Sequence, residues 1–290
     1  MEFPQEEKGR LEKLFRIPPL SLLDSRNSRW IERKKYWLSL GIKGELGRGE
    51  NLLHDCDLMK RMKLNTTSVF DPVLCECIYL WFSKKGDKIL DPFAGGSVRG
   101  IVASKLKRNY TGIELSEKQV QSNRIQSKEI CPERQPKWIV DDAKNINDVP
   151  GSFNLLFSCP PYFNLEKYSE DKKDLSNMSL DDFFIAYLQI ILRACSMLEN
   201  DSFAVFVVGE VRHKGEYIGL IPETIEAFRT AGLLYYNEMI LLQPVVTAAM
   251  RCERCLNYSR KIPKAHQQVL VFVKGDPIRA AKKLGKIKLI

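Results

Sequence analysis

Histidine is scarce: the chain carries three in 290 residues, His54, His213 and His266. None stands in a pattern that pairs a base with a nucleophile. Long apolar runs are also missing, and none approaches the ~20 residues that span a bilayer. Met1 to Arg10 is polar and lacks the apolar core of a secretory signal. The eight cysteines are scattered, several inside apolar runs. That argues against a disulfide scaffold and fits reduced thiols in a cytoplasmic compartment. Cys252 and Cys255 with His266 supply three ligands, fewer than the four of a structural zinc site, so no metal is expected. Acid is outnumbered by base, 36 residues to 45, for a net charge of +9. That balance suits a polyanionic partner. What is present is 44% hydrophobic residues, enough for one large α/β domain with extensions or for two small ones.

The densest signal runs from Lys88 to Gly100. Ile89 and Leu90 close an apolar run that reads as a buried strand, with Asp91 at its carboxyl end. Pro92, Phe93 and Ala94 lead to Gly95 and Gly96, which allow a tight turn and a close approach of backbone to ligand. Ser97 is placed to cap the helix suggested by Val98, Ile101, Val102 and Leu106. Strand, glycine turn and helix form the physical recipe for a nucleotide-like ligand at a strand end. The next strand, Tyr110 to Glu114, ends in a carboxylate suited to a ribose diol. A further apolar strand leads into Phe157-Ser-Cys-Pro-Pro-Tyr-Phe163.

Asp91-Pro-Phe-Ala-Gly-Gly resembles the D-P-F-x-G-x-G motif of S-adenosylmethionine (SAM)-dependent DNA methyltransferases that modify exocyclic amino groups. Cys159-Pro-Pro-Tyr162 resembles their catalytic [D/N/S]-P-P-[Y/F] tetrapeptide, with cysteine where the family has Asp, Asn or Ser. The resemblance covers roughly Thr66 to Lys274 and is similar in overall look to phage-encoded members. It implies a class I, Rossmann-like SAM methyltransferase fold. It also implies a cofactor site drawn from Phe70, Asp91 to Gly96, Glu114, Asp142 and Ser158, and Cys159, Pro160, Pro161 and Tyr162 at the reacting amine. Asp142 is favoured over Asp141 for the adenine amine. Tyr162, with Phe163, would face a base flipped out of duplex DNA.

Along the chain, residues 1–60 read as an N-terminal extension with a candidate helix. Arg33-Lys34-Lys35 lies between Trp30 and Trp37, a pattern that serves either base stacking or, the favoured reading, an amphipathic helix packed on the core. Residues 61–275 read as the methyltransferase domain. Ser68 to Phe82 is an apolar helix candidate opened by Phe70-Asp71-Pro72, with Pro72 in its first turn. Ser116 and Gln119 form a capping-box pair. Trp138 to Val140 is the third strand, and Asn154 to Phe157 the fourth. Leu165 to Met178 is polar and aperiodic and reads as a lid. Ser179 caps the next helix, Phe203 to Val208 is a central strand, and Pro222 starts a helix ended by Gly232. Tyr235 to Leu242 and Gln268 to Val273 are the last strands. The expected fold is therefore a seven-stranded, mostly parallel, doubly wound sheet. The resemblance makes its last strand antiparallel. Between those last strands, a basic insert, 244–266, reads as a long loop and carries Arg251, Arg254 and Arg260, expected to contact DNA. Residues 276–290 read as a basic, frayed tail.

The function so implied is transfer of a methyl group from SAM to an exocyclic amine in DNA, adenine N6 before cytosine N4. The alternatives are a C5-pyrimidine or RNA methyltransferase, with Cys159 as nucleophile, and an inactive SAM-fold module that binds nucleic acid.

Overall fold

The computed structural model describes residues 15–43, 46, 69–163 and 173–286. Of the stretch read as a lid, Leu165 to Met178, residues 165–172 lie outside them, as do 1–14, 44–45, 47–68, 164 and the last four residues. The chain opens with a short strand β1 (Leu22–Asp24) and helix α1 (Ser28–Ser39). Then follow α2 (Pro72–Phe82), β2 (Lys88–Asp91), α3 (Val98–Lys105), β3 (Asn109–Glu114), α4 (Glu117–Ile130) and β4 (Lys137–Val140). After β5 (Phe153–Ser158) come α5 (Leu180–Ser196), β6 (Leu198–Val208) and a hairpin of β7 (Arg212–His213) and β8 (Glu216–Tyr217). The chain ends with α6 (Leu220–Thr230), β9 (Leu234–Leu242), α7 (Val246–Ser259), β10 (His266–Lys274) and α8 (Pro277–Leu284).

One eight-stranded sheet has the order β1-β9-β10-β6-β5-β2-β3-β4. β10 runs antiparallel to β6 and β9, and the other pairings are parallel. This is the expected doubly wound α/β, Rossmann-like architecture, with two differences. The sheet has eight strands rather than seven, because Leu22–Asp24 pairs with β9, Leu22 opposite Ile240. Leu22 stays exposed and only Leu23 is buried, so this edge strand carries little of the apolar alternation that marks a strand in sequence. The basic insert is also not an irregular loop: most of it is α7.

Alternation along the strands splits the core in two. Leu155, Phe157, Val205, Val207, Val269 and Val271 face one side, with α1 to α4 and α8. Leu156, Ala204, Phe206, Val208, Leu270 and Phe272 face the other, with α5 and α6. Trp30 and Trp37 are both buried in the first core, which favours packing over base stacking. Glu76, buried on α2, accepts from Arg33, Arg16 and the indole N–H of Trp37 and so ties the N-terminal segment to the sheet.

Local signals act as physical chemistry dictates at several ends. Asp71 accepts from the Val73 amide at 2.9 Å, with Pro72 in the first turn of α2. Ser179 caps α5 through the Asp182 amide. Two caps differ from expectation. Ser97 has helical backbone and makes no capping bond, and its hydroxyl donates to Gln126 instead. Ser116 accepts from the Gln119 amide, but the Gln119 side chain turns to Leu46 and Asn123, so the box is half formed. The tail is ordered as α8 to Leu284, with Ala280 buried. Among the described residues, no helix is long and apolar enough to cross a membrane.

Candidate active site

A cleft of about 330 Å³ opens at the carboxyl ends of β2, β3, β4 and β5. The chain there leaves β2 toward one edge and β5 toward the other, the switch point where open α/β sheets bind ligands. Pro92, Phe93, Gly95, Glu114, Asp141 and Asp142 line it, together with Phe70 and the whole of Cys159-Pro-Pro-Tyr162. The two motifs recognised in the sequence thus share one cavity.

The glycine turn is held from both sides. Gly95 has φ +52°, and its amide donates to Glu114 Oε2 at 2.9 Å, while the Ser116 amide donates to Oε1 at 2.9 Å. Asn123 donates to the Gly95 carbonyl at 2.8 Å. A β-carbon on Gly112 would lie 2.7 Å from Ala94, so only glycine lets β3 pack this closely under the turn. Asp142 caps the short 3-10 helix Ala143–Asp148 through the Lys144 amide and pairs with the Lys144 ammonium at 3.3 Å. Asp141 accepts from the Asp142 amide and from Asn145.

Asp91, expected in the cleft wall, lies beneath the floor with 0% exposure. Arg99 Nε donates to Oδ2 at 2.6 Å, as does the Tyr110 hydroxyl. Ser158 donates to Oδ1 at 2.5 Å, and the Phe93 amide donates there too. These donors use the acceptor capacity of one carboxylate, so Asp91 holds the turn from beneath and does not line the cleft. Ser158, fully buried, belongs to the same network. Ala94 and Gly96 are likewise absent from the lining. Burial, the largest single effect, would lower the Arg99 guanidinium, but Asp91, Tyr110 and Cys159 together outweigh it and hold it above its usual range. Burial first, and then the Asp91 charge, pushes the Tyr110 phenol well up.

Sequence reasoning misses Arg99. It reaches the carbonyls of Phe93 and Ala94 at 2.5 and 3.0 Å and lies 4.6 Å from the Phe70 ring centre. Its one signal is a charge between the apolar Val98 and Ile101 of α3. It also answers a question of local sequence: no cation stands close before Cys159, yet Arg99 lies within its electrostatic reach.

Tyr162 is fixed from three directions. Gln267 Nε2 donates to its hydroxyl at 2.6 Å, Cys159 Sγ lies 3.6 Å from that oxygen, and Gly209 faces the ring with only 3.4 Å left for a β-carbon. Gln267 also escapes the sequence, standing one residue ahead of the strand read from Gln268. It reaches the cleft because β10 is antiparallel, which brings its first residues to the end where the parallel strands finish. Phe163 departs from its expected role. It turns away at φ +49° and is 4% exposed, its ring against Phe183 and His213. It anchors the tetrapeptide into the core and does not line the cleft. Arg251, Arg254 and Arg260 are exposed on α7 and at its end, outside the cleft lining.

No curated protein matches the chain by sequence. Among solved structures, the [4+2]-cyclase SpnF is similar over 70% of this chain and 81% of that one, at 13% identity and a TM-score of 0.50. TrmN from Thermus thermophilus is 15% identical with a TM-score of 0.48, over 71% of this chain but only 49% of that one, about half its length. Magnesium protoporphyrin IX methyltransferase from Synechocystis PCC 6803 is 10% identical with a TM-score of 0.48, over 70% of this chain and 79% of that one. At such identities the likeness speaks to fold alone, here a doubly wound, Rossmann-like α/β sheet. Residues 59–126 match the N6/N4 family model, described as DNA methylase. The matched stretch holds the glycine turn, Arg99 and Glu114, and it supports the resemblance to methyltransferases of exocyclic amines.

Proposed function

We propose that the protein transfers a methyl group from SAM to the exocyclic amine of a base in DNA, adenine N6 in preference to cytosine N4. One observation carries the reading: Glu114 and the Cys159-Pro-Pro-Tyr162 segment line the same cleft. The donor set suits the cofactor. Two backbone N–H bonds orient the Glu114 carboxylate, an acceptor group of the kind a ribose diol needs. Phe70, beside Arg99, and Phe93 give the cleft apolar walls, and Asp141 and Asp142 stand at the end of β4 for an amine.

SAM supplies an electrophilic methyl group, and the protein's task is orientation. A base amine is a poor nucleophile while its lone pair is delocalised into the ring. The Pro160 carbonyl and the Cys159 sulfur accept its N–H bonds and favour the pyramidal nitrogen. Two consecutive prolines hold that backbone in one shape. Tyr162 stacks on the flipped base, and the Gln267 bond fixes its ring. The methylated nitrogen then releases its extra proton to water. Flipping costs a few kcal/mol, which stacking and the amine bonds offset.

The test is incubation of the purified protein with SAM and duplex DNA, followed by mass spectrometry of the nucleosides. N6-methyladenine is expected. Transfer to cytosine C5, or to RNA alone, would replace this reading with one of its alternatives.

A further inference from the structure

The hairpin β7–β8 leaves the end of β6 beside the tetrapeptide, with His213 against the Phe163 ring at 5.3 Å. Its turn is built to hold a cation outward. Lys214 and Gly215 take φ +49° and +96°, and both are exposed. Arg212 donates to the Gly215 carbonyl at 3.0 Å and lays its guanidinium over the Tyr217 ring at 3.8 Å. Lys264, from the segment between α7 and β10, comes to the same ring at 5.5 Å. Two cations from separate segments therefore meet at one exposed tyrosine, with Lys214 exposed in the adjoining turn.

Burial lowers the Lys264 ammonium, Glu210 raises it, and Arg212 lowers it again, so two like charges are held close. The Glu210 carboxylate offsets this repulsion at Lys264, and it also accepts from the amides of Gly219 and Leu220 at 3.1 Å at the start of α6. Exposed Glu216 is the other acid of the hairpin. Lys264 stands three residues before Gln267, which holds Tyr162. At the reach of an extended chain this ledge lies within about 11 Å of the cleft.

We infer that Arg212, Lys214 and Lys264 form a phosphate-binding ledge for the nucleic-acid backbone flanking the base that enters the cleft, with Tyr217 as the platform that aligns the cations. The inference rests on the proposed function and adds a binding surface separate from the α7 arginines. Cations aligned at the surface beside the cleft suit a polyanion, and a flipped nucleotide needs its neighbouring phosphates gripped outside the pocket.

The experiment measures the affinity of the full chain for a labelled duplex of mixed sequence across a potassium chloride series. The variants are Arg212→Gln with Lys264→Gln, and separately Lys214→Asn, since asparagine tolerates the left-handed turn. The salt slope should fall by about 1 for each phosphate that a variant no longer neutralises. SAM affinity should stay at the wild-type value, which shows that the variants fold. Tyr217→Phe should keep the slope, and Tyr217→Ala should lower it as the cations lose their alignment. If wild type methylates DNA while these folded variants keep its full slope, the ledge is wrong and the proposed function stands. If wild type neither binds nor methylates DNA, both fall.

Discussion

The Arg99 guanidinium meets the Asp91 carboxylate at 2.6 Å, with 6% and 0% of their side chains exposed. This pair links the glycine turn, through the Phe93 and Ala94 carbonyls, to the last residue of β5, through Ser158. Breaking a buried pair strands a charge, so Arg99→Met should destabilise the protein by about 3–5 kcal/mol. Asp91→Asn should be costly too. The double variant should lose clearly less than the sum, because the stranded charge is gone. Urea denaturation measures all three, and strictly additive losses would contradict the coupling.

Glu114 offers the test of the cofactor site. Glu114→Gln keeps the shape but removes the charge and presents one acceptor oxygen instead of two. Bonds to a charged group contribute about 1.5–3 kcal/mol, so calorimetric SAM affinity should fall by about ten- to a hundred-fold. Unchanged affinity in the folded variant would move the ribose contact elsewhere.

Tyr162 separates stacking from hydroxyl chemistry. Tyr162→Ala should lose most methylation, since stacking contributes about 1–3 kcal/mol per base. Tyr162→Phe keeps the ring and loses the Gln267 bond, so its activity should lie between those of wild type and the alanine variant. SAM binding should survive in both. Equal loss in the two variants would point to the hydroxyl rather than the ring.

Cys159 discriminates between amine and C5 chemistry. Cys159→Ser should retain measurable turnover, because serine is a natural occupant of that slot in the family its motif resembles. Cys159→Ala, lacking an acceptor, should be slower. Duplexes carrying 5-fluorocytosine should give no covalent complex. A trapped complex together with a dead serine variant would favour the nucleophile.

Asp201 gives an acid-linked prediction away from the cleft. The Arg279 bond, then the Asp276 amide, holds its carboxyl down at about 2, against an ordinary 3.8. A depressed carboxyl stabilises fully above its unfolded value, and the effect is lost as pH falls from about 4 toward about 2. Asp201→Asn, tolerated at φ +55°, should therefore be less stable than wild type at neutral pH. That gap should close in acid, as read by thermal unfolding. A gap independent of pH would assign the loss to something other than charge.

Much of the sheet is legible because its central strands are short apolar runs bounded by turn residues, and the glycine turn and tetrapeptide each follow one. What escapes is set by distant partners. Leu22–Asp24 is a strand because β9 offers an edge, and little in its own three residues says so. Asp91 reads as a ligand group by position, yet Arg99, Tyr110 and Ser158 enclose it, and those meetings appear only when β2, β3 and β5 lie side by side. Phe163 looks like a partner for Tyr162, but its positive φ sends the ring the other way. The insert reads as a loop because its basic residues hide a helix in which, among the described side chains, only Ala248 is buried.

The antiparallel direction of β10 brings the two roots of α7 together. The Gln243 amide donates to the Ala265 carbonyl at 2.9 Å, and the Gln243 and Gln267 side chains bond at 3.1 Å. An excursion that departs and returns at one point is a closed loop hung on the sheet. Doubling its length would cost only about 0.6 kcal/mol in closure entropy. Evolution can therefore exchange this appendage for another, long or short, without moving a strand, while its base remains fastened beside Tyr162.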